Sequence, residues 1–440
     1  MHAAMVSPRR FVAINAVAAA LLALRPPRLT PDSNDYLQHL MYRPPVTTLL
    51  YDVARLFGPL QLRAAVALQM VIGVFAAFRL ARAMVRAAAV ESTLVATAIF
   101  YLLFAPQLEH GAYIMSESLA YSMVSLAVAS ALDCVRTRTA RSLLACTGWT
   151  IAATATRSQL LFLLPSLVAG VALFVWRAPA RRRALKPAAL ALVLVAASSL
   201  IQPTYNLIFN RRFLSVQAGG IHLLGVVMFV SERPDLDLLP DGPERSFALT
   251  VFDQAERARL LRFQTPLFMP EYHHFDRSFD AITWTTIGQS YCDLVLHRPV
   301  GPAADRISRA MSPDEFRAFD RFTRDIAVRL LARSWPRYLA HLAICARQFA
   351  AVGIGVAAAM LATALLGLRA RPTRAALLLL AAGLWLANLV AIGLVQDFHF
   401  RYTFYFDIIL TAAALLSAWS FVRPTPDDAT DAALCRSRQG

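Results

Sequence analysis

Apolar stretches long enough to cross a hydrocarbon core recur along this chain, near residues 11–24, 60–80, 88–105, 114–132, 142–156, 159–176, 187–205, 339–367, 375–395 and 403–421. The first and fifth are short by this measure. Phe11–Leu24 has the length of a signal-peptide core, but Arg25-Pro26-Pro27 follows it where a small-residue cleavage site belongs, so it reads as a retained span. Two segments depart from the pattern. Residues 206–338 form a long stretch that carries most of the mid-chain prolines and acids. Residues 25–59 join the first two spans, yet Leu37, Leu40, Met41, Val46, Leu49 and Leu50 give them an apolar side broken only by Pro44-Pro45. That pattern suits a helix lying in the membrane interface. The hydropathy pattern therefore predicts an all-α polytopic membrane protein of about ten transmembrane helices with an external, mostly helical cap.

Composition agrees: 57% of the 440 residues are hydrophobic and 16% charged, with a mean hydropathy of +0.49. The net charge of +16 would suggest nucleic acid were it not distributed by topology. Arg9-Arg10, Arg79/Arg82/Arg86, Arg136/Arg138/Arg141, Arg177 with Arg181–Arg183 and Lys186, Arg369/Arg371/Arg374, and Arg423 fall at every second connection. This alternation places both termini and those loops in the cytoplasm, and makes nucleic-acid binding an unneeded explanation. The expected organisation is a transmembrane domain over 1–205 with a first external loop at 25–59, an external cap over 206–338, transmembrane helices over 339–422 and a cytoplasmic tail over 423–440.

The chain has no CxxC, HExxH, GxxxxGK[ST] or strand-preceded GxGxxG, which argues against a zinc protease, an ATP-driven pump and a dinucleotide enzyme. Of five cysteines only Cys292 falls in the external segment, so no external disulfide within the chain is expected. Inside the cap, Ser312 can cap a helix, Pro313 suits its first turn and Asp314-Glu315 favour its start. Phe316, Phe319, Phe322 and Ile326 then form an apolar stripe that predicts a helix over 312–331. His273-His274 with Asp276 and Glu271 have metal-binding chemistry, but paired histidines in a polar loop are more often solvated.

Candidate chemistry gathers at the external ends of spans. Asp32 and Asp35 follow the first span, Glu117 opens the fourth, Arg157 sits at a turn between spans, and Asp397, His399 and Arg401 precede the last. A carboxylate at a membrane surface must be solvated, paired or used. Each residue also has an ordinary role open to it. Asp32 or Asp35 can act as a helix N-cap, Glu117 as a helix-start charge, Arg43 as a headgroup anchor, and Tyr36, Tyr113 and Tyr402 as interfacial belt residues.

The run Asp32-Ser33 followed by Tyr36 and Arg43-Pro44-Pro45 resembles the first external loop of integral-membrane glycosyltransferases of the GT-C fold. The likeness is to bacterial relatives of the protein O-mannosyltransferases and the lipid A aminoarabinose transferase. Ser116-Glu117-Ser118, Arg157, Ser334-Trp335-Pro336-Arg337-Tyr338-Leu339 and His399-Phe400-Arg401-Tyr402 resemble further motifs of that family in the same order and on the same side. The likeness runs from about residue 8 to 421. Many relatives have adjacent Asp-Glu in the first loop, whereas here Ser33-Asn34 separate the two acids, leaving open which of them is the base.

The resemblance implies transfer of a hexosyl or pentosyl group, with inversion, from a polyprenyl-phosphate sugar on the periplasmic face of a bacterial inner membrane. The Ala/Arg bias with a single lysine fits a GC-rich bacterial genome. The acceptor would be a lipid, protein or polysaccharide. General acid–base chemistry of such a transfer needs a carboxylate, for which Asp32 and Asp35 are candidates with Glu117 in support. The departing lipid phosphate needs cations, for which Arg157, Arg401 and Arg43 are candidates with His399 as helper. Tyr36 and Tyr402 would line the substrate path. No cofactor is required by this chemistry; participation of a divalent metal stays open, because two acids in the first loop are too few to define a site. The competing classes are a transporter or flippase for lipid-linked glycans, favoured by Pro165 and Pro203 within spans, and an O-antigen-type polymerase or ligase.

Overall fold

The computed structural model describes residues 25–30, 32–40, 43–90, 92–177, 181–215, 218–298, 311–367, 372–395 and 400–422. They are helical throughout, apart from turns and one isolated β-bridge between Arg28 and Tyr113. The helices are α1 (Ser33–Leu37), α2 (Pro45–Arg55), α3 (Gln61–Ala87), α4 (Thr93–His110), α5 (Glu117–Thr137), α6 (Ala140–Thr156), α7 (Leu163–Arg177), α8 (Arg181–Ser198), α9 (Ile201–Asn210), α10 (Gly219–Val230), α11 (Pro243–Arg257), α12 (Glu271–Asp280), α13 (Gly288–Leu294), α14 (Pro313–Gly367), α15 (Pro372–Val395) and α16 (Phe400–Val422).

Five helical segments among the described residues are long and apolar enough to cross a membrane: Gly58–Ala87, Glu117–Thr137, Ser158–Val175, Ala350–Gly367 and Thr373–Ile392. The pair Arg182–Ser198 and Ile201–Asn210, bent by 40°, makes a sixth if counted as one broken span. The chain is an all-α, multi-pass membrane protein. The expected spans at 88–105, 142–156 and 403–421 also fall on helices (α4, α6 and α16), whereas 11–24 lies outside the described residues.

The chain divides into two compact units. One comprises Met1–Phe213, Gly355–Asn388 and Phe404–Gly440; the other comprises Leu214–Ile354 and Leu389–Thr403.

In the first unit α5 is central. It packs on both α3 and α6, and 83% of its most apolar window is buried, against 22% for Ser158–Val175. Its sequence explains the position. Ser118, Ser122, Ser125 and Ser130 are small enough for close approach and are all buried. Two of them hold the buried Gln107 of α4, whose Nε2 donates to Ser118 O at 3.0 Å and Ser122 Oγ at 2.8 Å. Such contacts join helices where lipid tails supply no hydrophobic drive between them. The chain-end helices add Trp385 Nε1, which donates to Asp407 Oδ1 at 2.6 Å, so this acid of α16 has a polar partner.

In the second unit α14 begins as its local sequence dictates. Ser312 Oγ accepts from Glu315 N at 3.3 Å, and Glu315 Oε2 accepts from Ser312 N at 2.7 Å, a reciprocal capping box. Phe316, Phe319 and Ile326 are buried while Arg317, Arg321 and Arg324 are exposed, as the stripe requires. The helix does not stop near Leu331. It runs on through Pro336 as far as the non-helical backbone at Ala350 (φ −130°, ψ 17°). Asp235, with its side chain 2% exposed, is held by Arg337, whose Nε also donates to Val230 O at 3.2 Å.

Gly220 of α10 lies against α14 so closely that an added Cβ would stand 1.9 Å from the Asp320 carbonyl oxygen, while its N–H donates to Asp320 Oδ1 at 2.6 Å. A methyl group there must separate the two backbones. Gly220→Ala is expected to destabilise this unit by about 1–3 kcal/mol, lowering its unfolding temperature in detergent. Gly219→Ala, which meets open space, is expected to be neutral or stabilising.

Candidate functional site

The loop after the first expected span is shaped by its short polar side chains. Arg28 N donates to Ala112 O at 2.8 Å and Ile114 N to Arg28 O at 3.0 Å, forming the parallel bridge to the turn before α5. Ser33, fully buried, donates from Oγ to Ile114 O at 2.8 Å and accepts from Thr30 N at 2.8 Å. At the loop's far end His39 takes a left-handed φ of 56°. Its Nδ1 lies 2.7 Å from the Tyr205 hydroxyl and its ring stacks on Phe209 at 4.6 Å. The carbonyl of His39 accepts from Asn210 Nδ2 at 3.2 Å. The loop is thus fastened to the α4–α5 turn at one end and to α9 at the other.

Between those fastenings stand the acids. Asp32 occupies the N-cap position of α1, yet its side chain makes no capping bond. It turns instead to Arg43, whose Nη2 lies 2.6 Å from Asp32 Oδ1 and 2.6 Å from Asp35 Oδ2, with Nε 3.2 Å from the same Asp35 oxygen. One guanidinium therefore bridges both carboxylates. They differ in access: the side chain of Asp32 is 38% exposed and that of Asp35 10%.

A second cluster forms at the start of α5. Glu117, 5% exposed, accepts from Arg157 Nη1 at 2.8 Å. Arg157 also reaches the Tyr405 hydroxyl at 3.2 Å, Ser116 Oγ at 3.4 Å and Gln159 Oε1 at 3.1 Å. Its backbone is extended (φ −155°, ψ 120°) between α6 and the 3₁₀ turn Ser158–Phe162, which turns the side chain out of the helical register.

Tyr36 links the two clusters. The Arg43 guanidinium lies over its ring, 5.0 Å from the centroid, and its phenol is close enough to Glu117 and Arg157 to feel both charges. Burial pushes the Tyr36 phenol above its ordinary pKa, against the opposing charge of Arg43, so it is a neutral hydrogen-bonding group at physiological pH. Below it, buried Tyr51 packs edge-on at 6.3 Å and donates to Met115 O at 3.0 Å.

Of the residues singled out in the sequence, Asp32, Asp35, Tyr36, Arg43, Glu117 and Arg157 come together in the first unit. His399 lies outside the described residues, as do the side chains of Arg401 and Tyr402, whose backbone opens α16. Tyr113 is occupied by Arg28 Nη1 at 3.2 Å. His273 and His274 turn to different partners, Tyr272 and the Leu261 carbonyl. Ser116 and Tyr405 were missed by sequence reasoning. Ser116 stood within the quoted Ser-Glu-Ser motif, but nothing local marked Tyr405 as a neighbour of Arg157.

No protein-family model and no curated protein matches the chain. Among solved structures, ArnT from Cupriavidus metallidurans, crystallised with undecaprenyl phosphate, is similar at 17% identity over 94% of this chain and 78% of that one, with a TM-score of 0.33. A likeness at that score transfers neither fold nor activity to this chain.

Arg157 and Glu117 neutralise each other in a nearly dry setting, and removing one partner strands the other charge. Glu117→Leu and Arg157→Met are each expected to destabilise the protein by about 3–5 kcal/mol. The double variant should recover much of that loss, which thermal unfolding of all four proteins in detergent would measure as a coupling energy.

Proposed function

We propose that the chain is a membrane glycosyltransferase with the GT-C architecture. It would move a sugar from a polyprenyl-phosphate donor to an acceptor on the periplasmic side of a bacterial inner membrane. The observation that carries this reading is the linked network in the first unit. Acids and arginines from the 32–43 loop, the start of α5 and the turn after α6 gather around the Tyr36 phenol, which feels the charges of Arg43, Glu117 and Arg157.

Glycosyl transfer to a hydroxyl or amine requires a group that accepts the acceptor's proton as the new bond forms at the anomeric carbon, and groups that hold the departing phosphate. Asp32 is assigned the first role over Asp35 on access, its carboxylate being the more exposed while Arg43 holds it in place. Asp35 is assigned to fixing Arg43. Arg157 is assigned to the phosphate oxygens, with Glu117 and Tyr405 setting its guanidinium plane. Arg401 and His399 are assigned to the same phosphate on the family resemblance alone. A nucleotide sugar is cytoplasmic, so an outward-facing transferase needs its donor delivered on a lipid. The motif resemblance and the apolar spans support that form of donor.

Purified protein in detergent, given radiolabelled polyprenyl-phosphate sugars and acceptor extracts, is expected to release label from the lipid. Asp32→Asn should lower turnover by a factor of 10² or more, since general-base catalysis contributes roughly 10²–10⁴, with folding unchanged. Arg157→Lys should raise the donor KM more than the acceptor KM. Undiminished transfer by Asp32→Asn would remove the assigned base. Translocation of lipid-linked glycan in proteoliposomes without transfer would move the chain to the flippases.

A further inference from the structure

We infer that Glu271, His341 and Cys345 form a binding site for one zinc-type divalent metal ion in the second unit, apart from the network assigned to glycosyl transfer. Glu271 is the first residue of α12. His341 and Cys345 lie four residues apart on α14, hence on one face of the helix, before the backbone break at Ala350. Their ligand atoms all lie within 4.8 Å of one another. Glu271 Oε1 is 2.7 Å from His341 Nδ1, and Cys345 Sγ is 3.4 Å from the same nitrogen.

Tetrahedral zinc with metal–ligand distances near 2.0–2.3 Å separates its donor atoms by about 3.3–3.6 Å. The sulfur–nitrogen distance has that value, but Sγ lies beside the ring, 3.7 Å from Nε2, so a turn about the cysteine or histidine side-chain torsions must bring it alongside a metal on Nδ1. The oxygen–nitrogen distance must open by roughly half an ångström, which rotation about the broad terminal torsion of a glutamate supplies. Glu271 binding through both oxygens would complete four donors.

The arrangement does not suit a catalytic Cys-His-Glu relay, which needs thiol and carboxylate on opposite ring nitrogens. Here Oε1 contacts Nδ1, while Sγ stands nearly equidistant from Nδ1 (3.4 Å) and Nε2 (3.7 Å), in line with the lone pair of neither. Three donor atoms within 4.8 Å of one another, out of line for a relay, form a ligand cluster. Sulfur and imidazole with a single carboxylate select a borderline metal such as zinc over magnesium or calcium.

The surroundings are those of a closed site. His341 and Cys345 are fully buried. The rings of Phe229 and Phe275 lie 5.0 and 4.6 Å from the imidazole and keep water out. Arg262 Nε donates to Glu271 Oε1 at 2.8 Å, the kind of outer hydrogen bond that orients a ligating carboxylate. The thiolate and carboxylate would together balance the metal's charge, leaving Arg262 as the outer cation.

The test uses the full-length protein in detergent, stripped by chelator and titrated with Co²⁺ as a spectroscopic substitute for zinc. The expected result is one equivalent bound, with a near-ultraviolet sulfur-to-cobalt charge-transfer band and visible tetrahedral bands, all abolished by stoichiometric Zn²⁺. Cys345→Ser should remove the charge-transfer band and weaken binding at least tenfold, His341→Ala should weaken it similarly, and the His273→Ala/His274→Ala variant should bind as wild type. Absence of cobalt binding by the wild type, or an unchanged spectrum in Cys345→Ser, overturns the site. Because the readout is metal and spectrum, it stands whether or not the protein transfers sugars.

Discussion

A charge removed from water must be matched within hydrogen-bond reach, and the arrangement of the first unit follows from that requirement. Arg43 is placed by two carboxylates eight and eleven positions before it. Arg157 is placed by a carboxylate forty positions before it. To bring these partners together, the 25–43 loop must lie against the start of α5, where the backbone bridge at Arg28 and the Ser33 hydroxyl bonded to Ile114 O fasten it. Uncharged contacts thus share in placing the charges: a serine hydroxyl and two peptide groups help to hold the loop, and the loop holds the acids and Arg43.

How much of this was legible varied with the range of the interaction. The start of α14 could be read from Ser312-Pro313-Asp314-Glu315 because capping is decided within one turn. Its continuation beyond Leu331 could not, because the apolar stripe ends there and the helix goes on through Pro336, which packing tolerates despite the lost N–H. The family likeness picked out Asp32, Glu117 and Arg157, all at span ends. The bridging of both acids by one arginine depends on the turn of α1, and the approach of Tyr36 to Glu117 and Arg157 depends on packing between segments far apart in the chain; neither leaves a pattern in neighbouring positions. The same holds for Glu271. Its sequence neighbours His273 and His274 drew attention, yet His341, seventy positions later, is the histidine it contacts.

The two units solve a similar problem with different materials. In the first, part-buried arginines are neutralised by carboxylates, and the Arg43 pairings extend to the partly exposed Asp32. In the second, Asp235 is closed off by Arg337, and Glu271 by Arg262 and His341, each within a helical packing that shields it from solvent. An accessible end is what distinguishes a polar network that can react from one that holds a fold.

The first-unit network has a property of its own. Among the described residues, three carboxylates, Asp32, Asp35 and Glu117, face two guanidiniums, Arg43 and Arg157, so the formal count over these five is one negative charge in excess. An anion entering that network deepens the excess unless positive charge arrives with it, as a proton on a carboxylate or as a cation. Anion binding and the uptake of positive charge are then linked equilibria, and whatever promotes one promotes the other by the same free energy.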